Sequence, residues 1–341
     1  MTDSDDEVDA SARLRALIEA SWKTQAIGVA AELSLADLLA SGPKSADELA
    51  AITGSHAPSL HRLLRALVSL DICAEENHGF VLRPTGALLR TDAADSLRAW
   101  ALVSGKQLWP VWEGLAYSVR TGKSYREVLT GMHGYGRFER DRDAAATFNE
   151  AMVDITRHVA RAFTAQYELA GKVVDVGGGY GELLMAVLRR HAGTRGILFD
   201  LPHAIEGAGE RWKASGLSER CTLLAGSFFE SVPHGGDQYL LKSVLHNWDD
   251  SSCAVILANC HDAMSSHGHL HVIERVMPPR MEPSPSHQLL ARSDLNMLVG
   301  PSGKERTAAE FHALLESAGF RIKRNREIAL GFSAMEAVRG P

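Results

Sequence analysis

Three side chains able to move a proton are His246 and Glu274, at or near the ends of apolar runs, and Glu305, on a loop before a helix. Histidine titrates near neutrality, and a carboxylate beside it orients the ring and stabilises the imidazolium, so such a group works as a general base. Singly, each of the three also reads as a cap, a salt-bridge member or a solvated charge; only convergence makes them a site. A second group is built of glycines. Val173-Val174-Asp175-Val176 runs into Gly177-Gly178-Gly179-Tyr180-Gly181, and the helical pattern Leu183, Leu184, Val187, Leu188 begins straight after. A strand, a tight turn and a helix N-terminus present backbone N–H groups to a ligand that larger residues would hold off. The dinucleotide fingerprint would place its last glycine where Glu182 stands, which disfavours an NAD-dependent dehydrogenase. Asp200 ends the next apolar run, nineteen positions beyond Gly181, where a carboxylate takes both hydroxyls of a ribose. The pair reads as a site for a nucleoside-type cofactor.

The elements that must position these residues follow from periodicity. Residues 171–341 alternate strand signals (173–176, 196–200, 222–225, 238–242, 269–276, then 320–328 and 331–338) with helical ones (181–191, 203–215, 250–264, 307–318). Such alternation predicts an α/β domain with a doubly wound, Rossmann-like parallel sheet that gathers ligands at the carboxyl ends of its strands. Those ends supply Asp200, Ser227-Phe228, Lys242, the turn His246-Asn247-Trp248-Asp249-Asp250, and Glu274; Glu305 lies on the loop before the last helix. Met277 to Pro285 reads as a proline-rich surface loop. His246, Asp249 and Asp250 lack dedicated metal-ligand spacing, and no metal is expected.

Upstream, residues 1–9 are acidic and expected to lack fixed structure. Apolar residues then recur at helical spacing from Leu14 to Leu39, more than one small domain needs to cover itself, so they call for a partner. Ser45-Ala46-Asp47-Glu48 is a capping box opening a helix that stops at Gly54; a second helix and an Asn-His-Gly hairpin over 72–82 complete a winged-helix order. The second helix interleaves only His61, Arg62 and Arg65, and the chain is acidic, so the pattern favours packing or dimerisation over a DNA-binding regulator. Residues 101–170 form a helical connector rich in aromatics, Trp109 and Phe148 among them, suited to wall a pocket for a flat molecule. The expected division is therefore 1–100, 101–170 and 171–341.

Composition bounds the rest. The 341 residues carry a net charge of −6, which argues against nucleic-acid binding, and no apolar run reaches the length of a membrane span. Four cysteines without C-x-x-C spacing point to reduced thiols, and the acidic start is unlike a secretion signal; both predict a cytoplasmic protein.

An ordered series of motifs carries a resemblance: Asp-Val-Gly-Gly-Gly-x-Gly from Asp175, Phe-Asp-Leu-Pro-His from Phe199, Gly-Ser-Phe-Phe-Glu-Ser-Val-Pro from Gly226, Leu-Lys-Ser-Val-Leu-His-Asn-Trp-Asp-Asp from Leu241, and Gly-Lys-Glu-Arg-Thr from Gly303. It resembles the S-adenosylmethionine-dependent O-methyltransferases of the plant caffeic acid type and their bacterial natural-product relatives, over nearly the whole chain. The resemblance implies an N-terminal winged-helix dimerisation domain, a homodimer, and methylation of an aromatic hydroxyl on a small molecule without a metal, as in antibiotic biosynthesis. It implies that Asp175, Gly177 and Gly179 cradle the cofactor's methionine part and that Asp200 and Leu201 bind its ribose. Gly226, Ser227, Phe228 and Trp248 would surround the adenine, and Lys242 would add a contact. His246 would be the base, bracketed by Glu274 and Glu305; Met152, Asn296 and Met297 would line the acceptor pocket, joined by Trp109 and Phe148. Two positions depart from the family. Ser227 stands where aspartate is usual, which predicts weaker adenine contacts, and Asn247 follows the histidine where aspartate is usual. The alternative on this scaffold is diverged chemistry, hydroxylation or decarboxylation of an aromatic polyketide.

Overall fold

The structure, a computed structural model, describes residues 3–132 and 134–340. The chain divides into two compact units, with the division between Trp109 and Pro110.

In the first unit the chain is helical from Asp3 to Glu19, where the acidic start was expected to be unstructured; Met1 and Thr2 lie outside the described residues. The capping box forms as read: Ser45 Oγ accepts from the Glu48 N–H at 3.2 Å, and Glu48 Oε2 accepts from the Ser45 N–H at 2.7 Å. It opens the helix Ala46–Thr53. Helix Ala57–Ser69 buries the stripe Leu60, Leu64 and Leu67, and β1 (Cys73–Glu76) pairs with β2 (Gly79–Leu82) as the wing. These side chains share one core with Leu35, Leu39 and Leu49. Leu17 and Ile18 on the first helix are left 69% and 70% exposed.

The second unit is organised by a mixed sheet of β3 (Lys172–Val176), β4 (Arg195–Asp200), β5 (Cys221–Ala225), β6 (Gly236–Lys242), β7 (Met264–Met277), β8 (Arg306–Thr307), β9 (Phe320–Ala329) and β10 (Phe332–Arg339). Their order is β5-β4-β3-β6-β7-β10-β9, with β8 paired to β7. All pairs are parallel except those of β10, which runs antiparallel to both neighbours. Alternate residues of one strand serve opposite faces. Val174 and Leu241 pack with Ile256, Leu257 and Phe311 on one side, while Val173 and Leu240 pack with Phe163, Leu184 and Trp212 on the other. Strands are added on one side of β3 (β4, β5) and then on the other (β6, β7), so a switch point opens at the carboxyl ends of β3 and β6, where such sheets bind ligands.

Two differences from the sequence reading stand out. The connector expected over 101–170 is not a unit of its own: the long helix Arg142–Gln166 sends Val153, Val159 and Phe163 into the same core as Val173 and Leu184. The expected proline-rich loop is present over 278–284, and the helix that follows it, Pro285–Val299, was not read from the sequence. Ser284 caps it, accepting from the His287 N–H at 3.2 Å, and the fixed φ of Pro285 suits the first helical position. Among the described residues no helix is long and apolar enough to cross a membrane.

Candidate active site

Every strand-end residue named from the sequence falls on one edge of the sheet. After β3 the chain turns through Gly177 and Gly179, whose φ values of +68° and +59° are left-handed. A Cβ on Gly177 would lie 3.0 Å from Val244 Cγ2 and 3.4 Å from Phe228, so the turn keeps a cradle that a side chain would fill. Asp175 lies buried beneath the turn; burial, opposed by Lys242, pushes its carboxyl up to about 7. Asp200 ends β4, with one carboxylate oxygen accepting from the Gly179 N–H and the other from the Leu201 N–H, both at 2.7 Å. Burial raises its pKa despite these bonds.

After β5, the Gly226 N–H donates to the Asp200 carbonyl at 3.0 Å, and Ser227 Oγ accepts from the Phe229 N–H at 3.3 Å. Phe228 stands edge-on to Trp248, with ring centroids 6.1 Å apart. Phe229, not singled out from the sequence, does so at 4.7 Å. Lys242 closes β6; burial lowers its pKa to about 8, and its ammonium donates to Ser243 Oγ at 3.0 Å. Ser243 is held at a φ of +55°, a strained conformation for serine, and swings the chain into the one-turn helix Leu245–Asn247.

That turn carries the base. Glu274 Oε1 accepts from the backbone N–H groups of Val244 (2.9 Å), Leu245 (2.8 Å) and His246 (3.4 Å), so one buried carboxylate anchors the turn. His246 Nδ1 lies 3.0 Å from Glu305 Oε1 and 3.7 Å from Glu274 Oε2. A carboxylate can only accept, so Nδ1 carries the hydrogen and Nε2 is left with a lone pair. Burial alone would lower the imidazole pKa, but the charges of Glu274 and Glu305 and the hydrogen bond donated to Glu305 outweigh it and raise it. The carboxylates split. Burial raises Glu274 against the charge of His246, whereas the charge and hydrogen bond of His246 overcome burial and hold Glu305 below its usual range.

Residues that the sequence reading did not single out complete the frame. Ser293 donates to Glu305 Oε1 at 2.6 Å, and Asp294 accepts from the Glu305 N–H at 2.9 Å. Arg306, fully buried, donates to the carbonyls of Leu245 and Trp248 (both 2.9 Å) and holds Asp250 at 2.6 Å. Asp249 caps the following helix, accepting from the Ser252 N–H at 2.7 Å. Asp249 and Asp250 are thereby committed to architecture. Asn247 Nδ2 donates to the Ser243 carbonyl at 3.0 Å while its Oδ1 accepts from the Tyr135 hydroxyl at 2.9 Å. An aspartate at 247 could not make the first of these bonds. Tyr135 belongs to the Gly-rich stretch 131–136, of which His133 lies outside the described residues.

Of the expected acceptor residues, Phe148 packs against Tyr135 and Phe138, at centroid distances of 5.8 and 5.0 Å. Met152 is one turn further along the same helix, while Asn296 and Met297 sit on the last turn of Pro285–Val299. Trp109 is the last residue of the first unit.

His246, Glu274 and Glu305 bring possible ligand atoms within 4.8 Å of one another, close enough to hold a cation. Their hydrogen bonds favour proton handling: Nδ1 is a donor, and Oε1 of each glutamate is already an acceptor.

A glycine turn, a strand-end carboxylate and an aromatic cluster at the switch point of a sheet whose one antiparallel strand, β10, is inserted between β7 and β9 fit a nucleoside-cofactor methyltransferase. The model of the O-methyltransferase domain matches residues 112–321, and that of the O-methyltransferase dimerisation domain matches 16–92. The phenazine O-methyltransferase PhzM of Lysobacter antibioticus is 40% identical over 97% of this chain and 96% of its own. The crystal structure of LaPhzM superposes with a TM-score of 0.93 at 40% identity, covering 97% of this chain and 99% of the other. NcsB1, an O-methyltransferase from neocarzinostatin biosynthesis solved with S-adenosylmethionine and 2-hydroxy-5-methyl naphthoic acid, gives 0.80 at 34% identity, covering 96% of this chain and 98% of the other. The chain belongs to the O-methyltransferase family and is an S-adenosylmethionine-dependent O-methyltransferase with a helical dimerisation domain before its catalytic domain.

Proposed function

We propose that this enzyme methylates the hydroxyl of a small, flat aromatic natural product, with His246 as general base. The observation that carries the reading is the buried His246–Glu305 hydrogen bond of 3.0 Å, which engages Nδ1 and leaves the lone pair of Nε2 for a proton. A phenol has a pKa of about 10, so at neutral pH the attacking oxygen still holds its proton. His246 Nε2 takes that proton, Glu305 keeps the ring in the productive tautomer, and both glutamates stabilise the imidazolium. Glu274 also fixes the turn that aims the ring. When bound, S-adenosylmethionine supplies a methyl group already activated on its sulfonium. Gly177 and Gly179 would cradle its amino-acid part over Asp175, with Asp200 and Leu201 on the ribose. Gly226, Ser227, Phe228 and Trp248 would enclose the adenine, and Lys242 would contribute a contact. Ser227 brings a hydroxyl without a charge, so adenine is held more by the aromatic rings than by a carboxylate. Phe148, Met152, Asn296 and Met297 would line the acceptor pocket, and the reaction needs no metal.

The exposed Leu17 and Ile18 support a homodimer built through the dimerisation domain. The absence of any disulfide among the four cysteines supports a cytoplasmic setting.

The test is His246→Ala. General-base catalysis is worth about 10²- to 10⁴-fold, so turnover of a phenolic acceptor at neutral pH falls by that factor while calorimetry shows S-adenosylhomocysteine binding unchanged. Full activity in the variant would discard the base assignment.

A further inference from the structure

Two arginines beside the base region have no anion to meet. Arg126, on the short helix Tyr125–Thr130, is only 5% exposed. Its guanidinium lies against Gly300, where a Cβ would be 2.8 Å from Nη2, next to the helix end that carries Asn296 and Met297. Arg137 lays its guanidinium 4.1 Å above the ring of Phe138. That ring stacks on Tyr135 with centroids 6.0 Å apart. The Nε–H groups of both arginines are buried and have no hydrogen-bond partner, and neither guanidinium forms an ion pair among the described residues.

A buried guanidinium without an anion is costly, and a second one nearby adds repulsion. Burial, then the charge of Arg126, lowers Arg137 to about 10, with Asp141 a weak counterweight, and burial lowers Arg126 as well. Arg137, at about 10, stays cationic at neutral pH, and a guanidinium such as that of Arg126 keeps its proton in proteins. Tyr135 feels the charges of both arginines and hydrogen-bonds to Asn247, the neighbour of His246. The charges of both arginines therefore reach Tyr135, which is bonded to the neighbour of the base.

We propose that Arg126 and Arg137 form a carboxylate-binding subsite around Tyr135. The planar fork of a guanidinium matches a carboxylate in two parallel hydrogen bonds, and a bound carboxylate would satisfy the unpartnered N–H groups. The inference rests on the methyltransferase reading above. The carboxylate has two possible sources there, an acidic acceptor (a hydroxyarene carboxylic acid) or the amino-acid end of the cofactor.

The experiment uses the full-length protein and its variants Arg126→Met, Arg137→Met and the corresponding lysine variants. One arm measures by calorimetry the binding of S-adenosylhomocysteine against 5′-methylthioadenosine, which lacks the carboxylate. The other measures binding of salicylate and 1-hydroxy-2-naphthoate against phenol and 1-naphthol. A methionine variant is expected to weaken the carboxylate-bearing member of one pair about 10- to 100-fold and leave the neutral member unchanged, with lysine restoring part of the loss. Loss in the first pair assigns the subsite to the cofactor, and loss in the second to the acceptor. Because each methionine removes an unpaired buried charge, the variants melt no lower than the wild type. Equal effects on acid and neutral ligands, or melting well below the wild type, would overturn the subsite. Both arms read binding, so failure of methyl transfer in the wild type would count against the reaction and leave the subsite's result standing.

Discussion

Glu305→Gln removes one negative charge and keeps the side chain's size. In the wild type Glu305 Oε1 accepts from His246 Nδ1 at 3.0 Å and from Ser293 at 2.6 Å, both out of water. An amide has one accepting oxygen. If its NH₂ turns to His246, the ring must offer a lone pair at Nδ1 and carry its hydrogen on Nε2, the atom that has to take the acceptor's proton. If its oxygen turns to His246, the bond survives without its charge. A hydrogen bond to a charged group is worth about 1.5–3 kcal/mol, and about 1.36 kcal/mol is a factor of ten in rate. The expected loss in kcat/KM is therefore about 10- to 150-fold. The charge of Glu305 is also one of the causes that raise His246 against burial, so the imidazole pKa must fall in the variant. Turnover of a phenolic acceptor gives the first readout, and an NMR titration of the His246 ring gives the second without any acceptor. Calorimetry with S-adenosylhomocysteine serves as the control. A His246 that titrates as in the wild type, with turnover within about threefold, would refute the assignment of Glu305 as the residue that orients the base.

Other outcomes follow from the same geometry. Because His246 must be neutral to act and its pKa is raised, kcat/KM should fall on the acid side of a value above the ordinary histidine pKa of about 6.5. The same shift stabilises the fold below the unfolded-state pKa of His246 and is lost as pH rises through the folded value; the pH dependence of melting in His246→Ala against wild type checks the sign. Gly179→Ala forces a side chain into a φ of +59° with its Cβ 3.3 Å from Asn149 Oδ1. That costs about 1–2 kcal/mol, so S-adenosylhomocysteine should bind about tenfold more weakly by calorimetry. A double variant of Leu17 and Ile18 to lysine should convert a dimer to a monomer in light scattering, with the melting of the monomeric fold little changed.

Much of this protein is written locally. The glycine turn after Val173–Val176, the capping box at Ser45 and the hairpin at 73–82 depend on residues close in sequence, and each appears where its residue types demand. Strand-end placement of Asp200, Lys242, His246 and Glu274 also followed from alternation, because a parallel sheet puts all its carboxyl ends on one edge. Helix Pro285–Val299 was hidden by the prolines before it, since proline signals a loop and a first helical turn equally well. Only the tertiary structure decided which glutamate does what. His246, Glu274 and Glu305 look alike in sequence. Yet Glu274 spends one oxygen on three backbone N–H groups and Glu305 gives one to the imidazole, a choice made by the turn at Ser243 and by Ser293 on the helix before the Glu305 loop. The exchange of Asn247 with Tyr135 and the unpaired guanidiniums of Arg126 and Arg137 belong to the same class. Hydrogen bonding and desolvation act over a few ångströms, and residues separated by a hundred positions come within that range only once the chain is packed.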